Sequence, residues 1–260
     1  MVRTIKLLLL FFVYQLAVTG FITVLFMILN HSMELPVATD DNYITYLLVV
    51  QLAFTICLSV HLLLGKYVTF DKHDTQFIRR PILWLLSFIL IVGMALWNNY
   101  LNELADFPNT MERFLDDMMR HPLGIVATVI MAPVMEELLF RGAIQGHLMR
   151  VWKQPVWAIL VSSLLFGLVH GNPAQIPFAF TIGLGLGWMY YMTGSLIPCL
   201  FMHFVNNGSA VLFFWLSNHS EASLIGTYGM EIATGLAILG LALTIIGVWG
   251  VKKVLSNYAL

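Results

Sequence analysis

Residues 126–142 read Val126-Ala-Thr-Val-Ile-Met-Ala-Pro-Val-Met-Glu136-Glu137-Leu-Leu-Phe-Arg141-Gly142. Without its three charges this stretch would be an ordinary transmembrane helix. An ionisable side chain at the centre of a spanning helix costs roughly 2.5–3.5 kcal/mol on insertion scales. Three of them within six positions mark a functional site rather than a packing detail.

The rest of the chain makes the membrane reading secure. Its 260 residues are 59% hydrophobic and 10% charged, with mean hydropathy +0.84. Soluble domains carry about 25% charged residues. The chain is therefore read as an all-α integral membrane protein, a single polytopic domain over 1–260. A net charge of −1 offers no basic surface for nucleic acid. Cys57 and Cys199 both lie in apolar runs and are expected to be buried thiols. No Cys-x-x-Cys or Cys/His zinc spacing occurs.

About 20 apolar residues cross the hydrocarbon core as a helix. Eight stretches qualify as candidates, at Leu7–Leu29, Ile44–Leu64, Ile82–Tyr100, Leu123–Met149, Val156–His170, Ile176–Met192, Leu196–Leu216 and Ile232–Val251. The first is too long for a signal-peptide core and no small-x-small cleavage site follows it, so it reads as an uncleaved helix. A bundle of about eight transmembrane helices is expected. Alternating sides then put Arg3, Lys6, Lys66, Lys72, Arg79, Arg80, Arg150, Lys153, Lys252 and Lys253 on one face, against Arg113 and Arg120 on the other. By the positive-inside bias both termini are expected in the cytoplasm of a bacterial, multi-pass plasma-membrane protein.

Between the third and fourth stretches, Met111, Phe114, Leu115, Met118 and Met119 recur at helical spacing among acidic residues. They predict an amphipathic helix lying on the outer face, either covering the bundle or gating a lipid-borne substrate. In the sixth stretch, Gly183 and Gly187 form a small-xxx-small pair suited to close helix approach.

Three stretches carry pairs at i, i+4, which share a helix face. These are Glu137 with Arg141, Phe166 with His170, and His203 with Asn207. Regular helix geometry turns Glu136 about 100° away from Glu137. Measured from the cytoplasmic helix ends at 1.5 Å per residue, Glu136 lies roughly 20 Å deep, His170 roughly 22 Å and His203 roughly 12 Å. Tilt can bring these depths into one cavity. Such a set can activate water: a carboxylate acts as base on a water held by an imidazole, while a second His and an amide donate to a developing oxyanion. Each element alone also has a structural reading. Glu137–Arg141 could be a buried ion pair, and His170, His203, Asn206 and Asn207 could be interhelical glue.

Glu-Glu-x-x-x-Arg at Glu136, Glu137 and Arg141, Phe-x-x-x-His at Phe166 and His170, and His-x-x-x-Asn at His203 and Asn207 together resemble the CPBP (CAAX protease and bacteriocin-processing, or Abi) family of intramembrane endopeptidases. The Phe140-Arg141-Gly142 turn and the glycine run before Thr193-Gly194-Ser195-Leu196 are similar too. The resemblance covers residues 122–207. It implies an eight-helix bundle with a catalytic cavity inside the membrane. It also implies that Glu136 and His170 activate water, His203 and Asn207 form the oxyanion site, and Glu137, Arg141 and Phe166 support them. Substrates in the family are prenylated CAAX proteins, peptide leaders or bacteriocin-related peptides, so the expected partners are a peptide or protein at the membrane, with or without a lipid, and the bilayer itself.

Two other readings compete. In a zinc-dependent protease, Glu136, His170 and His203 would ligate the metal and leave a position open for water. No His-Glu-x-x-His motif is present, and the metal-free reading is preferred. Alternatively, intramembrane Glu, Arg and His could serve a non-enzymatic immunity protein or transporter. The Glu-Glu-x-x-x-Arg sequence occurs only once, without the repeated halves common in transporters.

Overall fold

Every apolar stretch of the sequence is helical in the computed structural model, which describes residues 2–31, 33–35, 42–68, 79–217 and 223–256. Lys72, used in the orientation argument, lies outside the described residues. The helices are α1 (Val2–Leu29), α2 (Tyr43–Leu64), α3 (Pro81–Ala105), α4 (Glu112–Arg120), α5 (Pro122–Trp152), α6 (Pro155–Leu168), α7 (Gln175–Thr193), α8 (Leu196–Leu216), α9 (Leu224–Tyr228) and α10 (Met230–Ser256). No strand occurs among the described residues.

Six of these, α1, α2, α3, α5, α8 and α10, are long and apolar enough to cross a membrane. The expected eight therefore divide into six such helices and two of another kind. At 14 residues α6 is short of the hydrocarbon thickness. Gly183, Gly185, Gly187 and Thr181 dilute α7. These two helices pack against each other, and α6 carries the buried hydroxyls of Ser162 and Ser163. Their shortness and polarity suit the interior of a bundle better than a lipid-facing wall.

At the centre stands α5, which touches α1, α2, α6, α7 and α8. All residues from Leu138 to Gln145 are buried, as expected of a helix surrounded on every side. The outward faces of α1 and α10 instead show Leu9, Leu16, Phe21, Ile245 and Trp249, a surface suited to acyl chains. Cys57 belongs to that exposed class; only Cys199 is buried, which corrects the expectation of two buried thiols. An apolar run alone does not say which side of a spanning helix meets lipid.

Small residues let α3 and α10 lie together. A Cβ on Gly240 would come 2.7 Å from the Gly93 carbonyl oxygen, and one on Gly93 would come 2.7 Å from that of Gly240. Without a hydrophobic driving force in lipid, such close backbone approach is a main source of helix association. The amphipathic α4 covers the bundle. Met118 is buried beside Leu48 and Ala127, Trp215 donates its indole N–H to the Met119 carbonyl (3.1 Å), and Arg120 sits over the Phe214 ring.

Candidate active site

The helix that carries the glutamates is not regular. Two π-helical stretches, Ala127–Met131 and Leu138–Gln145, flank the α-helical turns of Ala132–Glu137. Wide turns of this kind recur at functional sites. The first has a chemical cause on either side. Ala132 N–H bonds to the Ala127 carbonyl, a π register. In that register the Thr128 carbonyl would look to the N–H of residue 133, which is Pro133 and has none. The Asn207 side chain, from α8, donates to Thr128 O at 2.9 Å and fills the gap.

Asn207 thus has a structural partner here. Asn207→Ala is expected to lower stability by roughly 1–3 kcal/mol, the cost of a buried unpaired carbonyl. Combining it with Pro133→Ala, which restores an N–H to the helix, should shrink that cost. Unfolding of both variants and the double variant in detergent measures the coupling, and a strictly additive cycle would refute the assignment.

The two glutamates converge on one imidazole. Arg141 Nη1 donates to Glu137 Oε1 at 3.1 Å, and both side chains have 0% exposure. His203 Nδ1–H donates to the same Glu137 oxygen at 2.7 Å. The other ring nitrogen of His203, Nε2, lies 3.4 Å from Glu136 Oε2. Glu136 is 18% exposed and is thus the more open of the pair. Adjacent residues on a regular helix would diverge by about 100°; here His203 reaches both because its two nitrogens point in opposite directions. Two carboxylates and one guanidinium thus gather around the His203 ring.

Phe166 is the wall these groups share. Arg141 lies over its ring at 4.4 Å, and the rings of His203 and His170 meet it edge-on at 5.6 Å and 5.0 Å. His170 stands in the turn just beyond α6, followed by Gly171 with φ +65°. Its Nδ1 is 2.8 Å from the Phe166 carbonyl. That nitrogen must carry the proton to donate, so in the neutral ring Nε2 is left with a free lone pair. His170 therefore joins the group through Phe166, with no direct bond to a glutamate.

Several contributors escaped the sequence reading. Gln145 extends the Glu137, Arg141 stripe by four more positions and donates to Gly187 O at 2.7 Å, as Arg141 Nη2 donates to Gly183 O at 3.3 Å. The small-xxx-small pair of α7 thus exposes backbone carbonyls to the polar face of α5. The continuing i, i+4 spacing was the available signal for Gln145. The buried Asn172 has no such signal. It ties the His170 turn to the loop before α4, donating to Asn109 Oδ1 (2.8 Å) and accepting from Thr110 N–H (3.1 Å).

Among the described residues no group of three His, Cys, Asp or Glu is placed to hold a metal. Both nitrogens of His203 are turned to the glutamates, and Nδ1 of His170 to a carbonyl.

Residues 119–209 match the family described as type II CAAX prenyl endopeptidase Rce1-like. This span holds all seven residues of the three motifs. The match supports assignment to the CPBP family. Among its relatives, YdiL of Bacillus subtilis (strain 168), which carries the name of a membrane peptidase, is 26% identical over 169 residues, 62% of this chain and 69% of YdiL. The membrane-embedded CAAX protease MroQ of Staphylococcus aureus (strain USA300) is 29% identical over 134 residues, 50% of this chain and 53% of MroQ. No solved structure matches. With its relatives in bacteria and its apolar helices, the chain is a multi-pass bacterial membrane protein of a peptidase family.

Proposed function

We propose that the protein is an intramembrane endopeptidase that hydrolyses a peptide bond in a segment held at the bilayer, with Glu136 as the base that activates water. The observation that carries this reading is the chain Arg141–Glu137–His203–Glu136, in which a buried ion pair orients an imidazole toward an open carboxylate. A base aligned by a second, buried acid is the arrangement that acyl-transfer chemistry uses.

In this mechanism Glu136 takes a proton from water as the oxygen attacks the scissile carbonyl. His203, when Nε2 carries a proton, donates a hydrogen bond to the oxyanion. The free Nε2 of His170 holds the water in line. When the tetrahedral intermediate collapses, Glu136 returns its proton to the departing amine. Asn207 is the second oxyanion donor if a substrate draws its amide from Thr128.

The Rce1-like match and the names of the relatives support a CAAX-type or similarly membrane-anchored substrate. The decisive experiment compares the membrane and secreted peptides of cells carrying the wild-type chain or Glu136→Gln. A peptide that accumulates uncut only with the variant names the substrate; identical peptide profiles, with the variant folded, would overturn the reading. The mechanism is metal-free. A stoichiometric zinc in the purified protein whose removal stops cleavage would overturn that part of it.

A further inference from the structure

We infer that a basic cleft at the end of the bundle away from α4 binds the phosphate headgroup of an anionic lipid. The cleft measures about 740 Å³ and is lined by Arg3 and Lys6 of α1, Lys66 and Tyr67 after α2, and His147 of α5. Three elements thus bring their cationic or hydrogen-bonding groups to one opening, and no carboxylate lines it among the described residues. Arg3 is held in place by its stack on the Tyr67 ring, 5.1 Å from the centroid. Its Nε is buried without a hydrogen-bond partner. Like charges gathered without a counter-ion are unfavourable unless an anion joins them.

The position chooses the lipid over a free ion. The first two turns of α1 contribute Arg3 and Lys6, and the same helix shows Ile5, Leu9, Phe12, Val13 and Leu16 as exposed side chains. A headgroup in the cleft has an apolar wall running away from it for its acyl chains. The free N–H groups and positive dipole end of α1 add to the attraction for phosphate. Juxtamembrane basic groups are the usual recognition of anionic lipids, worth roughly fivefold in affinity each.

The cleft also touches the catalytic helix. Val68, next to Tyr67, lies against Gly142, where a Cβ would come 2.7 Å from Val68 Cγ2. A lipid that orders residues 65–68 would therefore brace α5 one residue beyond Arg141.

Native mass spectrometry of the full chain in detergent tests the site, with phosphatidylglycerol and phosphatidylcholine of matched acyl chains added as competitors. The wild type is expected to retain phosphatidylglycerol at least ~10-fold better. Arg3→Gln with Lys66→Gln should lower that preference by ~10-fold or more, to near parity. Lys6→Gln, at an exposed side chain, should lower it by about fivefold and serves if the double variant fails to fold. Displacement of the lipid by millimolar inorganic phosphate would replace the lipid with a free-anion site and overturn the choice of source. Equal retention of both lipids by the wild type, or an unchanged preference in the folded variants, would overturn the site itself.

Discussion

Glu136→Gln is expected to slow peptide cleavage by ~10²–10⁴-fold while leaving the fold intact, the span typical for removal of a positioned general base. The amide is isosteric with the carboxylate, and Glu136 is the partly exposed member of the pair. The substitution removes proton acceptance and little else. Glu137→Gln should behave differently. It leaves Arg141 without a buried counter-charge and His203 without its strongest acceptor, so stability and activity fall together. Single-turnover cleavage of the substrate, with thermal unfolding of each variant in detergent, separates the two. A Glu136→Gln protein that cuts at more than a tenth of the wild-type rate would remove this residue from the base role.

Arg141→Met should destabilise the protein by about 3–5 kcal/mol, the usual cost of leaving one partner of a buried ion pair alone. Arg141 is fully buried and makes three kinds of contact: the ion pair to Glu137, a hydrogen bond to Gly183 O, and its stack on Phe166. Methionine fills the same slot over the phenyl ring and loses only the charge and the donors. Adding Glu137→Gln to Arg141→Met removes the stranded carboxylate and should return a large part of the loss, because replacing both charges is far milder than removing one. Equilibrium unfolding of the two single variants and the double variant provides the cycle. An Arg141→Met variant within 1 kcal/mol of wild type, or a double variant less stable than either single one, would show that the pair does not hold the helix.

Much of this site was legible because intramembrane charge is costly and helical spacing is fixed. Glu137 and Arg141 four apart on an apolar helix could hardly avoid each other. The three motifs carried the family resemblance with them, and the match over 119–209 supports it. The helix count was legible less fully. Hydropathy finds eight apolar stretches, and six satisfy length and apolarity as helices, since α6 and α7 are short or glycine-diluted interior elements.

What the sequence determined by itself is an all-helical membrane protein with its intramembrane charges centred on α5, because composition, hydropathy and i, i+4 spacing are local quantities. What only the tertiary structure decided is how those polar groups meet. The convergence of Glu136 and Glu137 on the two nitrogens of His203, the use of Asn207 to cap the carbonyl that Pro133 leaves open, and the meeting of both histidines on Phe166 all depend on contacts between residues far apart in the chain. They depend too on π-helical turns, whose hydrogen-bond register the alternation of apolar and charged residues does not encode.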